Sequence, residues 1–216
     1  MMIDIKVSML THHEHLLTER LKNGDEQAYR EVIRLFRDRI FNTALGIVQH
    51  VEDAEDLAQE VFMEIFRSVR GFRGQSALST WIYRITVQKS LEHLRRVRRK
   101  KRHAIVMSLL GREHNVDAAG NAPFYHPGIR LENRERSTLL FGAIAKLPED
   151  QKTAFVLQKV EGLTQAEVAD VMEKSVAAVE SLVFRAKQNL RKLLADYYEI
   201  GRASCRERVK ISVVDV

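Results

Sequence analysis

Apolar residues recur at three- and four-residue intervals along most of the chain, the spacing that lines one face of an α-helix. Between Asp25 and Gln49 they fall at Ala28, Val32 and Leu35, at Ile33, Phe36 and Ile40, and at Ala44, Leu45 and Val48. A second stripe runs through Leu57, Val61 and Ile65 with Ala58, Phe62 and Phe66. Asp53 fits the N-cap of that helix, with Glu55 and Asp56 in a first turn where the helix dipole favours anions. A third helix is expected from Ser79 to Lys101, with Trp81, Ile85, Leu91 and Leu94 available for the core. The period is lost from His103 to Gly128, where Asn115, Asp117, Gly120, Asn121, Pro123, Pro127 and Gly128 punctuate the chain. It resumes near Ile129 and continues to Tyr198. Alternating β-branched runs are few, so the pattern predicts an all-α protein: two small helical domains joined by a flexible linker.

Turn chemistry sharpens the second domain. Pro148 fits the first position of a helix that carries Ala154, Phe155, Leu157 and Val160 and stops near Gly162. Thr164-Gln165-Ala166-Glu167 matches a capping box, in which hydroxyl and carboxylate each satisfy an orphan amide of the other's residue. The short helix to Met172 meets Glu173-Lys174-Ser175, and Ser175 can cap a long helix through Val176, Val179, Leu182, Val183, Ala186 and Leu190. Two helices across so short a turn, the second ending in Arg185, Lys187, Arg191 and Lys192, predict a helix-turn-helix.

Charge changes the picture more than composition does. The chain of 216 residues is 45% hydrophobic and 30% charged, enough to bury real cores, and its net charge of +6 averages over strong clusters. Every residue from Arg95 to Arg102 except Val97 is Lys or Arg, and Thr80-Trp81-Ile82-Tyr83-Arg84-Ile85 precedes that block. Rings stack on unpaired bases while cations neutralise phosphate, so this segment suits nucleic acid. These seven cations have no acid among them and would repel one another unless phosphate is close. The acidic amphipathic segment Asp53 to Phe62 suits a basic protein partner instead.

Other function classes find little support. No apolar run reaches the ~20 residues a membrane span needs, and residues 1–20 lack a signal-peptide core, so the chain reads as cytoplasmic with no membrane insertion. Its one cysteine, Cys205, permits no internal disulfide, which fits a reducing compartment. His12, His13, Glu14 and His15 are consecutive and outside any scaffold, which suits a flexible N-terminal stretch and not a metal site. No Gly-rich phosphate loop, metal spacing or paired nucleophile and base is found, so neither cofactor nor catalysis is expected. A small helical nuclease would need carboxylates facing a groove, whereas the cluster Asp53 to Glu64 lies at a helix start and on its outward face. From Glu199 onward the sequence resembles, on back-translation, read-through of a sequencing-library adapter, so residues 199–216 are expected to add nothing to function.

Read together, these segments resemble the ECF (extracytoplasmic function) group of bacterial RNA polymerase sigma factors, from Leu21 to Leu194. The markers are Gly24-Asp25-Glu26-Gln27-Ala28-Tyr29, Asp53 to Phe62, Phe72-Arg73-Gly74-Gln75-Ser76 with Thr80 to Ile85, and Leu147-Pro148 through Glu161-Gly162-Leu163-Thr164 to Val179–Lys187. Residues 180–187 are most similar to members from the Bacteroidetes. The resemblance implies an N-terminal extension (1–20), a sigma region 2 domain (21–102), a linker (103–128) and a region 4 helix-turn-helix domain (129–198). It implies core RNA polymerase and promoter DNA as partners, with an anti-sigma factor as a further candidate. Asp53, Glu55, Asp56, Gln59 and Glu60 would dock on the clamp helices of the polymerase largest subunit. Ser76, Thr80, Trp81, Tyr83, Arg84, Gln88, Lys89, Arg95, Arg96, Arg98 and Arg99 would hold the melted −10 element, one base flipped out of its stack. Ser175, Ala177, Ala178, Glu180, Ser181, Phe184, Arg185 and Lys187 would read the −35 element.

Three positions depart from that pattern: Gln88 stands where Asn is usual, Glu180 replaces the commoner Lys or Arg, and Glu173-Lys174-Ser175 lacks the usual Gly. A stand-alone helix-turn-helix regulator is the alternative; it accounts for Val176 to Lys192 and leaves Asp53 to Arg102 unexplained.

Overall fold

Each helix of the first half begins and ends on a side chain or turn that the local sequence supplies. A helix over 14–22 (α1) buries Leu17 and Leu21 and closes at Asn23-Gly24, where Gly24 takes the left-handed φ of 78°. Asp25 caps the next helix, α2 (Glu26–Val48), its Oδ1 accepting from the amides of Gln27 at 2.8 Å and Ala28 at 3.4 Å. Gln49, itself left-handed, ends α2, and α3 (Val51–Ser68) starts after His50, whose Nδ1 accepts from the Asp53 amide. The N-cap is therefore His50, and Asp53, expected in that role, lies inside the first turn. After a single 3-10 turn at Val69–Gly71 comes α4 (Leu78–Leu109), which outruns its expected end at Lys101 and takes up the start of the expected linker.

The computed structural model describes residues 14–109 and 134–204, with side chains over 14–104 and 139–195; every regular element among these is helical. The rest of the expected linker, the histidine pair His12 and His13, and residues 205–216 of the tail lie outside the described residues. The second half consists of α5 (Arg134–Ala145), α6 (Glu149–Phe155), α7 (Gln165–Met172) and α8 (Val176–Ser204). Pro148 stands at the N-cap of α6, one place before the first helical position assigned to it. Past Phe155 the helix widens into a π-helical turn, Val156–Val160, and stops at Gly162, whose φ is 74°. The capping box at Thr164 and Glu167 forms with both of its hydrogen bonds, and Ser175 Oγ accepts from the Ala178 amide at the start of α8.

Three apolar clusters hold the molecule. One lies wholly in the first half, around Val32, Phe36, Ile40, Val61, Ile65 and Ile82. The other two cross between the halves. Ala44, Leu45, Ala54 and Leu57 pack with Phe141, Ile144, Leu147, Phe155, Val156 and Leu190. Ile47, Tyr83 and Val87 pack with Ala154, Leu157, Val168, Val171, Val179 and Val183. The last turns of α2 are thus covered on all sides, which is why they are apolar all round. Each fully buried Leu or Ile there contributes about 1.5–3 kcal/mol relative to exposure. On α4 the buried hydroxyls of Thr86 and Ser90 donate back to the carbonyls of Ile82 and Thr86, so both polar residues tolerate burial.

Not every apolar position of the expected stripes is in the core. Ile33 and Leu35 are 45% and 42% exposed, because the buried line of α2 advances in fours from Ala28 to Ile40. Phe66 is 63% exposed and lies against Tyr29, its ring centroid 4.7 Å away, beside the buried line of Leu57, Val61, Ile65 and Val69.

Candidate functional site

Three surfaces carry the residues singled out from the sequence. The first is a line of exposed side chains on α3 at helical spacing: Glu55, Asp56, Gln59 and Glu60, continuing through Met63 and Phe66. Asp53 departs from this line. It is half-buried, with Oδ2 3.2 Å from His93 Nε2, and it lies against α4 instead of facing outward. Glu64 turns the same way, to Lys89 Nζ at 3.4 Å. Met63 and Phe66 were missed as surface residues; their signal was their place one and two turns beyond Gln59 on the same face.

The second surface is α4 with the connector before it. Trp81 is half-buried and packs on Phe72, the two ring centroids 4.9 Å apart at 31°. Thr80 is buried and Ser76 half-buried. Gln88 is exposed and donates to Glu92 at 3.1 Å, within its own helix. Tyr83 is only 4% exposed; its hydroxyl donates to Glu161 Oε2 at 3.2 Å, across to the second half. Arg84 does the same through Nε, donating to the Asp170 carbonyl at 2.9 Å. Burial raises the Tyr83 hydroxyl well above the ordinary tyrosine range, and the Glu161 charge adds to it. Burial likewise pushes the Glu161 carboxyl up to about 7, against the opposing pull of the Tyr83 hydrogen bond and the Arg39 charge.

Further along α4 the basic block opens into a groove of about 1050 Å³ lined by Lys89, Arg95, Arg96, Arg98, Arg99, Lys101 and Arg102 with His93, against only Glu60 and Glu92. A concave surface with that excess of cations attracts polyanions. The block is not wholly without acids, as the sequence suggested: Arg98 pairs with Glu149 at the start of α6.

The third surface is the outer side of α8. Ser175, Ala177, Glu180, Phe184 and Arg185 are exposed, Ala178 and Ser181 half-buried, and Phe184 reaches 60% exposure. These positions repeat at three and four residues, so one face presents them together. Lys187 sits at the edge of this face, where burial first, then the Lys159 and Arg191 cations, hold its ammonium below the ordinary lysine value. In the turn before α8, Glu173 takes the left-handed conformation (φ 54°) that a glycine would take without strain.

Comparison with known proteins agrees with this arrangement. The description Sigma-70 region 2 matches residues 32–100, and Sigma-70, region 4 matches residues 138–190. The chain is 32% identical over 197 residues to the RNA polymerase sigma-H factor of Pseudomonas aeruginosa, covering 86% of this chain and 96% of that one. It is 29% identical over 175 residues to the ECF RNA polymerase sigma-E factor of Haemophilus influenzae, covering 81% and 92%. Among solved structures, the sigma factor RpoE of Bartonella quintana, in complex with the anti-sigma factor NepR, superposes with a TM-score of 0.58 at 20% identity, over 77% of this chain and 96% of that one.

Proposed function

The chain belongs to the sigma-70 family of RNA polymerase sigma factors, in its ECF group, and from that premise we propose how its surfaces divide the work of promoter-directed initiation. It is a promoter-recognising sigma factor that acts with core RNA polymerase. Glu55, Asp56, Gln59 and Glu60 dock the polymerase, with Met63 and Phe66 as the apolar end of the same surface. The aromatic and basic helix α4 takes the melted −10 strand: Trp81 and Tyr83 supply ring faces, Arg84 and the groove around Arg95, Arg96 and Arg99 neutralise phosphate. The exposed face of α8, with Glu180, Ser181, Phe184 and Arg185, reads the −35 duplex.

The observation that carries this reading is the co-existence, in one chain, of an open recognition face on α8 and a seven-cation groove on α4. A duplex reader needs the first alone. The functional units run over residues 21–102 and 129–198, the chain works in the cytoplasm, and it has no catalytic activity of its own. An anti-sigma factor is the regulator that the NepR complex of the Bartonella protein suggests.

Reconstituted transcription tests the assignment. Core polymerase with this chain should initiate at discrete sites on a random promoter library, and neither component alone should do so. Tight, specific duplex binding by the chain without polymerase, together with no polymerase-dependent initiation, would favour a stand-alone regulator. Within the −35 face, Arg185→Ala should cost about 1–3 kcal/mol of promoter binding if its contact is bidentate to a base. Equal loss on all −35 sequences would mark Arg185 as a phosphate contact.

A further inference from the structure

Glu180 is a carboxylate without a partner on a face assigned to a polyanion. It stands in the second turn of α8 and is exposed. The positions one turn away along the helix are Val176, Ala177, Val183 and Phe184, so no neighbour on α8 can pair with it. Among the described residues it makes no hydrogen bond or ion pair.

The cations of the same helix come after it. Arg185, Lys187, Arg191 and Lys192 all follow Glu180, and Lys187 is close enough to Lys159 and Arg191 to feel both charges. Phosphate is drawn to those later turns. The first two turns are left for the floor of the groove, where the N-terminal residues of a recognition helix meet base edges. Ala177 and Ser181 lie beside Glu180 there, and side chains so small let the helix approach closely.

A carboxylate in that place has few acceptable neighbours. Phosphate repels it, and a groove floor with no donor would leave its charge desolvated and unpaired. In the major groove only the cytosine N4 and adenine N6 amino groups donate; guanine and thymine present acceptors. Adenine also sets its N7 acceptor beside the amino group, which repels the second carboxylate oxygen. Cytosine has no acceptor on that edge.

We infer that Glu180 is a specificity residue for the −35 element, its carboxylate accepting a hydrogen bond from the N4 amino group of a cytosine and so fixing one C·G pair in one orientation. The inference rests on the assignment of α8 to the −35 duplex and adds a base to it. Arg185, five residues on, projects about 140° away around the helix and therefore meets a different part of the groove.

Core polymerase with this chain is used to transcribe a library randomised through the −35 region, and the sequences of the active promoters give the base preference at each position. The natural chain should favour cytosine at one position by about tenfold over the other bases. Glu180→Ala should lose that preference, and Glu180→Arg should turn the same position to guanine, the base that arginine pairs with bidentately. Preferences at the other positions should stay as they were. An unaltered profile in both variants overturns the inference. So does a gain of transcription by Glu180→Arg that is equal on all sequences, the mark of a carboxylate that only repels phosphate.

A change in the promoter reaches the same atom. Replacing the favoured cytosine by 2-pyrimidinone, which lacks the amino group, should weaken promoter binding about tenfold with the natural chain and far less with Glu180→Ala. Equal weakening in the two chains would show that Glu180 does not meet that group, and overturns the inference. Initiation with a −35 preference indifferent to Glu180 would sink this inference alone. Polymerase-dependent initiation with no −35 preference at all would remove the α8 assignment, and the inference with it.

Discussion

Glu161 carries more consequence than its place in an ordinary helix-ending turn suggests. It faces Tyr83 from α4 and Arg39 from α2, and burial raises its carboxyl from 4.5 to about 7. A carboxyl raised by folding binds its proton more tightly in the folded state. Its contribution to stability is therefore complete below about 4.5 and lost as pH rises to about 7. The difference in denaturant midpoint between the natural chain and Glu161→Gln should thus shift across that window and be flat above it. A constant difference from acid to neutral pH would show that Glu161 titrates as an exposed carboxylate. Glu173 makes a second residue-scale case. Its left-handed backbone is strained for a residue with a Cβ, so Glu173→Gly should raise stability by up to about 1 kcal/mol, read as a higher melting temperature. A lowered melting temperature would mean that the side chain or the lost chain stiffness outweighs the strain. Sequence could flag Glu173, because the absence of Gly from a tight turn is visible in the chain. It could not flag Glu161, whose environment is set by a tyrosine 78 positions away.

At the scale of elements, caps and periodicity carried most of the information. The box at Thr164 and Glu167 formed as its spacing required, and Ser175 capped α8. α3 began earlier than expected because His50, a residue not among the favoured N-caps, supplies a ring nitrogen to the Asp53 amide. That shift decides which acids of α3 are available to a partner. Asp53 lies against His93 of α4, so its replacement would disturb packing as well as charge. Asp56 and Glu60 have no such tie and are exposed. Asp56→Lys with Glu60→Lys should therefore weaken binding to core polymerase by on the order of tenfold or more, with an unchanged melting temperature. Undiminished pull-down of polymerase by the folded double variant would remove α3 from the docking surface. Phe66 was misread for a related reason: the buried line of α3 runs through Leu57, Val61, Ile65 and Val69, and Phe66 lies just beside it.

At the scale of the molecule, two regions separable in sequence fold onto one another. The punctuated stretch after His103 separates two runs of helical periodicity in the sequence, but a break in periodicity says nothing of whether the regions then pack together. The residues that join them, Ala44, Leu45, Ile47, Tyr83 and Val87, look in sequence like ordinary core positions of the first half alone. Their double duty has a measurable consequence at Leu45, which is fully buried in the cluster that includes Phe141, Ile144 and Leu190. Leu45→Ala removes side-chain contacts on both sides of the seam and should cost about 2–5 kcal/mol, the range for a leucine lost from a core. If the halves were independent, that loss would fall on the first half only. Because the cluster is shared, amide hydrogen exchange should quicken in α5 and in the buried turns of α8 around Leu190 as well as in α2 and α3. Faster exchange confined to α2, α3 and α4, with the second half protected as before, would show that the two regions keep separate cores in solution.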